Sequence, residues 1–296
     1  MSPRNALHML SIRSWYRPMS LPRGMTAASV SAAAVLAAIA ALAFFAPFIA
    51  PHDPTFVAPT VRLQSADQTY LLGTDSFGRD LLSRLIYGGQ VSLLIGLGTA
   101  VLATAAGMLL GLTAGYFRAA DSLIMRAMDA MMAIPSILLA IAIVSLWGAS
   151  LQSVLFAVAI SETPRVARLA RSLTLTARSE LYVEAAQTLG TSPFQILWRH
   201  VIPNALGPLI VLGTYICASA IILESILSFL GTGIDPQIPT WGNIIAEGRM
   251  YIEIKPSLVL WPSLFLTVTV WALHILGDTT RDRLDPKALT RKMADQ

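Results

Sequence analysis

The strongest constraint on this chain is a stretch of 32 residues, 130–161, without one charged side chain. At about 1.5 Å per helical residue it is too long for a single crossing of a hydrocarbon core about 30 Å thick. Inside lipid only helices and closed barrels satisfy the backbone, and continuous rather than alternating apolar runs select helices. The stretch therefore divides at Gly148-Ala149-Ser150 into spans at 124–147 and 151–169. Four further runs, 26–50, 90–116, 205–229 and 257–276, complete six. The first is too long for a signal-peptide core of about 7–15 residues and is read as an anchor. With 55% hydrophobic and 13% charged residues, an ordinary soluble domain is excluded. The expected fold is an all-α membrane protein with residues 1–25 as a tail, 26–276 as the membrane domain with a loop at 170–204, and 277–296 as a second tail.

Charge placement sets the orientation. With six spans and the amino terminus inside, sixteen of the 21 Lys and Arg residues fall in inner segments. Among them are Arg4, Arg13, Arg118, Arg165, Arg168, Arg178, Arg199 and Arg281. Only Arg62, Arg79, Arg84, Arg249 and Lys255 fall outside, which satisfies the positive-inside rule. The fourth run is interrupted by Glu162, Pro164 and Arg165, yet removing it would turn the basic carboxyl-terminal tail outward. Both termini are therefore expected to be cytoplasmic.

On this topology the 170–204 loop is cytoplasmic, and it is punctuated like a folded element. A first helix from about Ser179 holds Glu180 in its first turn, where a negative charge suits the helix N-terminus, and ends at Gly190, suited to a left-handed cap. A second short helix opens with Ser192 as N-cap, Pro193 at its first position and Gln195 three residues on, a capping-box pattern. Two capped helices make a rigid knob suited to docking, with Gly190 as its hinge.

Other signals concern packing. Gly107, Gly111 and Gly115 recur at every fourth position, a face on which another helix can approach closely. Pro135 and Pro208 are expected to kink or start their helices. Outside the membrane, Gly73, Asp75, Gly78, Arg79, Asp80 and Arg84 suggest a turn leading into a short interfacial helix, with Asp80 and Arg84 paired at i,i+4. That segment either fixes span one to span two or contacts substrate or a binding protein. Asp129 is expected to pair with Arg126, and Cys217, the single cysteine, to be a small buried hydrophobe.

Catalytic constellations are missing from the sequence. There is no Gly-Lys pair and hence no phosphate-binding loop; Gly88-Gly89-Gln90 resembles the tail of an ATPase signature but stands alone. His8, His52, His200 and His274 are dispersed, which argues against a metal cluster. The basic residues follow the membrane borders, so nucleic-acid binding is not indicated.

The pattern Glu184-Ala185-Ala186, Gly190, His200 and Pro203-Asn204 resembles the EAA loop of ABC importer permeases. Leu72–Arg84, then Glu224–Gly233 continuing through Pro236, Pro239 and Trp241-Gly242, and Gly277-Asp278 with Arg281-Asp282 and Leu284-Asp285-Pro286 are similar to the dipeptide/oligopeptide/nickel branch of that family, most of all to its second, "C"-type subunit. Thr279-Thr280 and Thr240 depart from the residues usual there.

The resemblance implies a type I importer permease fold. It implies that Glu184, Ala185, Ala186, Gly190, His200 and Pro203 form a loop docking on an ATPase, and that Glu224, Phe229, Gly231, Gly233 and Trp241 form the segment after span five. It further implies a second homologous permease subunit in a heterodimer, two ATP-binding subunits, a periplasmic or extracellular solute-binding protein, no cofactor on this chain, ATP used by the partners, and location in the bacterial inner membrane. Peptides are the expected cargo, with nickel, glutathione and sugars open. Two rival readings are an ion-coupled secondary transporter, which requires broken-helix or charged sites near the midplane, and a membrane enzyme.

Overall fold

The computed structural model describes residues 27–284; the amino-terminal tail and the segment from Asp285 onward, with the basic residues placed in them, lie outside the described residues. The described chain is helical, with a lone bridge between Thr74 and Asp80. Helix α1 spans Ala27–Phe44 and is followed by the short α2, Ala46–Ile49. After an irregular outer segment comes α3, Leu81–Tyr116, then α4, Arg118–Met132, and α5, Ser136–Trp147. Helix α6 covers Leu151–Arg178, α7 Leu181–Thr188 and α8 Pro193–Ile196. Helix α9 covers Ile202–Phe229, α10 Trp241–Gly248 and α11 Ser257–Leu284.

The centre is the packing of α3 on α6, and small residues create it. A Cβ on Gly111 would stand 2.6 Å from the Ala170 Cβ, and one on Gly115 2.6 Å from the Thr174 Cβ. The glycine stripe thus meets α6, whose Val166, Ala167 and Ala170 are fully buried. Helix α9 packs on both, through Leu209, Ile216 and the buried, free Cys217. Helices α1 and α11 close one flank around Leu81, Leu85, Ile221 and Leu258, and α5 lies against α6 at Val144, Val154 and Val158.

Several expectations are corrected. The span expected over 124–147 is not one rod: α4 and α5 meet at 93°. Pro135 lacks an N–H and disfavours helical geometry at Ile134, so the chain breaks there and restarts at Ser136. Helix α5, with 12 residues, is only about 18 Å long. The helix that carries the 90–116 run already starts at Leu81, so the expected short interfacial helix is the first part of α3 itself. Helix α6 continues to Arg178 rather than ending near 169, and Pro208 lies inside α9. Asp129 pairs with Arg168 at 2.7 Å, not with Arg126, and Asp121 pairs with Arg171 at 2.5 Å, both joining α4 to α6.

Among the described residues four helices are long and apolar enough to cross a membrane, and five if α4 with α5 is one broken span. Helix α6 is long enough, but Glu162, Arg165 and Arg168 fall within its first eighteen residues.

Candidate functional site

The knob expected from the 170–204 loop is built from α7, α8 and the start of α9. Glu180 sits at the N-cap of α7 rather than inside its first turn; the acidic residue there is Glu184. The helix stops in a Schellman motif: the Gly190 N–H donates to Gln187 O at 2.9 Å and the Thr191 N–H to Ala186 O at 3.1 Å. Gly190 takes φ +82°, as its residue type suggested, with open space around the position of a Cβ.

Ser192 then caps α8, accepting from the Gln195 N–H at 3.4 Å, with Pro193 in the first turn. The second helix of the knob is not a separate short element: Pro193–Phe229 forms one 37-residue helix. Leu197–Val201 is wound as a π turn, and the Ile202 N–H reaches back to Leu197 O. Pro203 explains this, because its ring crowds the carbonyl of Arg199 and it supplies no N–H, so the helix widens locally. His200 lies beside the Tyr182 ring at 5.7 Å, and its carbonyl accepts from the Asn204 side chain at 2.7 Å. The Tyr182 ring ties α7 to the foot of α9, and its hydroxyl also accepts from the Asn204 side chain at 3.1 Å.

The knob has a buried root and an exposed apolar crown. Val183, Ile196 and Val201 are fully buried against Leu112 of α3 and Ala177 of α6. Leu181, Leu189, Phe194 and Trp198 are exposed by 66–86%, and the Phe194 and Trp198 rings stack with centroids 6.4 Å apart. Phe194, Gln195, Trp198, Arg199 and His200 border a shallow hollow beside them. An exposed apolar cluster on a rigid base, with polar residues around it, has the make-up of a protein contact surface. Sequence reasoning found the left-handed cap at Gly190 and the Ser192 N-cap but missed the aromatics; their i,i+4 spacing in a helix after a proline cap was the available signal.

The outer segment and the segment after α9 form one site, although 163 residues separate Arg84 from Glu247. Gly73 and Gly78 take φ +78° and +77° and turn the loop so that Asp75 faces inward. The Asp75 carboxylate accepts from the Phe77 and Arg79 N–H groups at 2.8 and 2.9 Å and pairs with Arg79 at 2.7 Å and Arg84 at 2.9 Å. Glu247 of α10 completes the cluster, contacting Arg79 and, at 3.2 Å, Arg84.

The expected Asp80–Arg84 pair does not form. Asp80 is the N-cap of α3, accepting from the Ser83 N–H at 3.0 Å and from the Ser83 hydroxyl, so Arg84 turns to Asp75 instead. Burial, reinforced by Asp75, pushes Glu247 up to about 7 against the pull of Arg79. Burial lowers Lys255, whose ammonium donates to the Thr74 carbonyl at 2.8 Å.

The segment after α9 folds over the start of α3. Glu224, fully buried near the end of α9, accepts from the Ser228 hydroxyl at 2.8 Å. Gly231 ends α9 in a second Schellman motif at φ +79°, and Arg249 lies over the Phe229 ring. Gly233 packs against Ser228 with no room for a side chain. Trp241 is fully buried, rests on Gly88 and Gly89, and donates its indole N–H to Leu85 O at 3.1 Å. That contact gives the glycine pair a packing role. Thr240 caps α10 by accepting from the Asn243 N–H at 3.0 Å, and the Asn243 side chain donates to the carbonyls of Ile234, Asp235 and Ile238. Glu247, Asn243 and Lys255 were not singled out from sequence, since their partners lie far away in the chain or on its backbone.

Residues 103–290 match the family described as the inner membrane component of binding-protein-dependent transport systems. The "Probable peptide ABC transporter permease protein y4tQ" of Sinorhizobium fredii is 45% identical over 81% of this chain and 82% of its own length. The di/tripeptide transport system permease DppC of Pseudomonas aeruginosa is 43% identical over 83% of both chains, and the glutathione transport system permease GsiD of Pectobacterium atrosepticum 38% over 88% and 87%. The membrane subunit fold is shared with a structure of the MetNI methionine ABC transporter in an inward-facing conformation, at a TM-score of 0.57 and 17% identity over 69% of this chain and 98% of that one.

Proposed function

The chain belongs to the inner-membrane components of binding-protein-dependent transport systems, and on that premise we propose that this ABC importer permease of the bacterial inner membrane carries peptides. The importer class assigns the driving energy to ATP at separate subunits and delivery to a substrate-binding protein. The peptide reading is supported by the names of the relatives at 45% and 43% identity. Nickel, glutathione or another small solute is the alternative, and the relative named for glutathione keeps it in play.

The proposed topology has six spans: α1, α3, the broken α4–α5 pair, α6, α9 and α11, with both termini inside. A second, homologous permease subunit shares the route. The crown around Gly190, Phe194 and Trp198 docks on an ATPase subunit. Glu184, Ala185 and Ala186 stand on the helix that carries it, with His200 and Pro203 at the junction to α9. The single observation that carries this reading is the exposed aromatic crown rooted in buried Val183, Ile196 and Val201. Because α8 continues into α9, a push on the crown acts directly on a membrane helix. The cluster of Asp75, Arg79, Arg84 and Glu247 clamps the outer ends of α3 and α10.

Gly190→Val tests the coupling. The position is sterically open, so the change acts through the left-handed backbone, at a cost of about 1–2 kcal/mol. We expect normal amounts of protein in the membrane with peptide uptake reduced at least tenfold. Uptake at the wild-type rate would overturn the assignment.

A further inference from the structure

Helix α6 places charges where a membrane helix facing lipid would hold none. Arg165 lies fourteen residues after Leu151, roughly 21 Å along a crossing of about 30 Å. Its side chain is 52% exposed, whereas that of Glu162, its partner at 3.1 Å, is 5% exposed. Side chains on a helix lean toward its N-terminus, here the outer end. The guanidinium therefore reaches back one turn to Glu162, deeper into the membrane and away from the inner headgroups. The Glu162 Oε2 has no hydrogen-bond partner among the described residues, so the Arg165 charge is what balances it. One turn further inward, Arg168 and Asp129, 49% and 59% exposed, form a second pair.

Arg165 and Arg168, both half-exposed and one turn apart on α6, with Asp129 of α4 beside them, exclude a lipid-facing position. A dry subunit contact is also excluded, since desolvation costs several kcal/mol per ion and interface centres are depleted in charge. An aqueous route remains. A guanidinium has five N–H donors in a fork that matches carboxylates, and here the exposed side of that fork is open. Building on the topology and cargo read above, we infer that Arg165 lines the translocation route and binds the carboxylate of the passing peptide, with Glu162 as its buried counter-charge.

Cys217 is this chain's only cysteine and is buried, so label found on this subunit reports the introduced thiol. In the complete transporter, with Cys217→Ser as background, Arg165→Cys and Arg168→Cys are treated with a charged, membrane-impermeant thiosulfonate. The wild-type chain should stay unlabelled, both variants should react, and saturating peptide should slow Arg168→Cys, which keeps Arg165, at least fivefold. If neither variant reacts while the wild-type transporter still takes up peptide, the inference falls and the peptide reading stands; if the wild-type transporter takes up no peptide, the peptide reading falls first. Arg165→Lys, which keeps the charge, is expected to retain at least half of wild-type uptake of a free-carboxylate peptide, and Arg165→Gln to lose at least tenfold at equal membrane levels. Wild-type uptake by Arg165→Gln would overturn the carboxylate contact.

Discussion

Two glycines show how the same residue type carries different physics at different places. Gly190 has room for a side chain but a backbone that an L-residue resists, so changing it strains the turn and leaves the packing untouched. Gly111 has an ordinary helical backbone and no room, since a Cβ would stand 2.6 Å from that of Ala170 and 2.9 Å from the Arg171 backbone nitrogen. Gly111→Leu must therefore separate α3 from α6. Overpacking of this kind costs about 1–3 kcal/mol or more. The expected result is a clear drop in melting temperature in detergent and in membrane-inserted protein, whereas Gly190→Val, which strains one exposed turn, keeps the amount of inserted protein near wild type. A Gly111→Leu variant as stable as wild type would contradict the helix packing. This stripe was legible in the sequence because four-residue spacing maps directly onto one helix face. The partner helix was not legible, since glycine spacing carries no information about which helix fills the groove.

At the scale of elements, the outer cluster ties α3 to α10. Arg84 is 1% exposed and shares Asp75 and Glu247 with Arg79, so two cations balance two carboxylates out of water. Removing one carboxylate leaves an uncompensated buried charge, at a cost of about 3–5 kcal/mol. Asp75→Asn is expected to lower the melting temperature and to raise hydrogen exchange in α10 and in the first turns of α3, leaving the knob protected. Exchange unchanged at α10 would mean that the cluster does not hold it. Spacing alone misassigned these pairs: Asp80 and Arg84 stand at i,i+4, but the start of α3 has N–H groups without helical partners, and Asp80 is the side chain placed to accept from one of them. Asp129 was misassigned for a related reason, because an Arg on α6 comes closer than the one on its own helix.

For the whole molecule, the question is how many times the chain crosses. Among the described residues apolar length counts four spans, or five with the broken pair, and α6 is the helix that composition rejects. Six crossings require α6 to span with its charges toward an aqueous route. A reporter enzyme active only outside the inner membrane, fused after Ala149, is expected to be active, and the same enzyme fused after Gly190 inactive. Activity at Gly190 would remove α6 from the count and reverse the side on which the knob lies.

Several features were determined by the sequence alone. They are the helical membrane class, the capped knob with its left-handed glycine, and the glycine face of α3, all set by interactions within a few residues along the chain or by the bilayer as solvent. The tertiary structure decided the rest: the partners of Asp75, Arg84 and Asp129, the seating of Trp241 on Gly88 and Gly89, and the aromatic crown beside Gly190. An ion pair or a buried ring is chosen by competition among groups brought together from distant segments. Local spacing names the candidates for that competition, and only the packed fold brings the winners within reach.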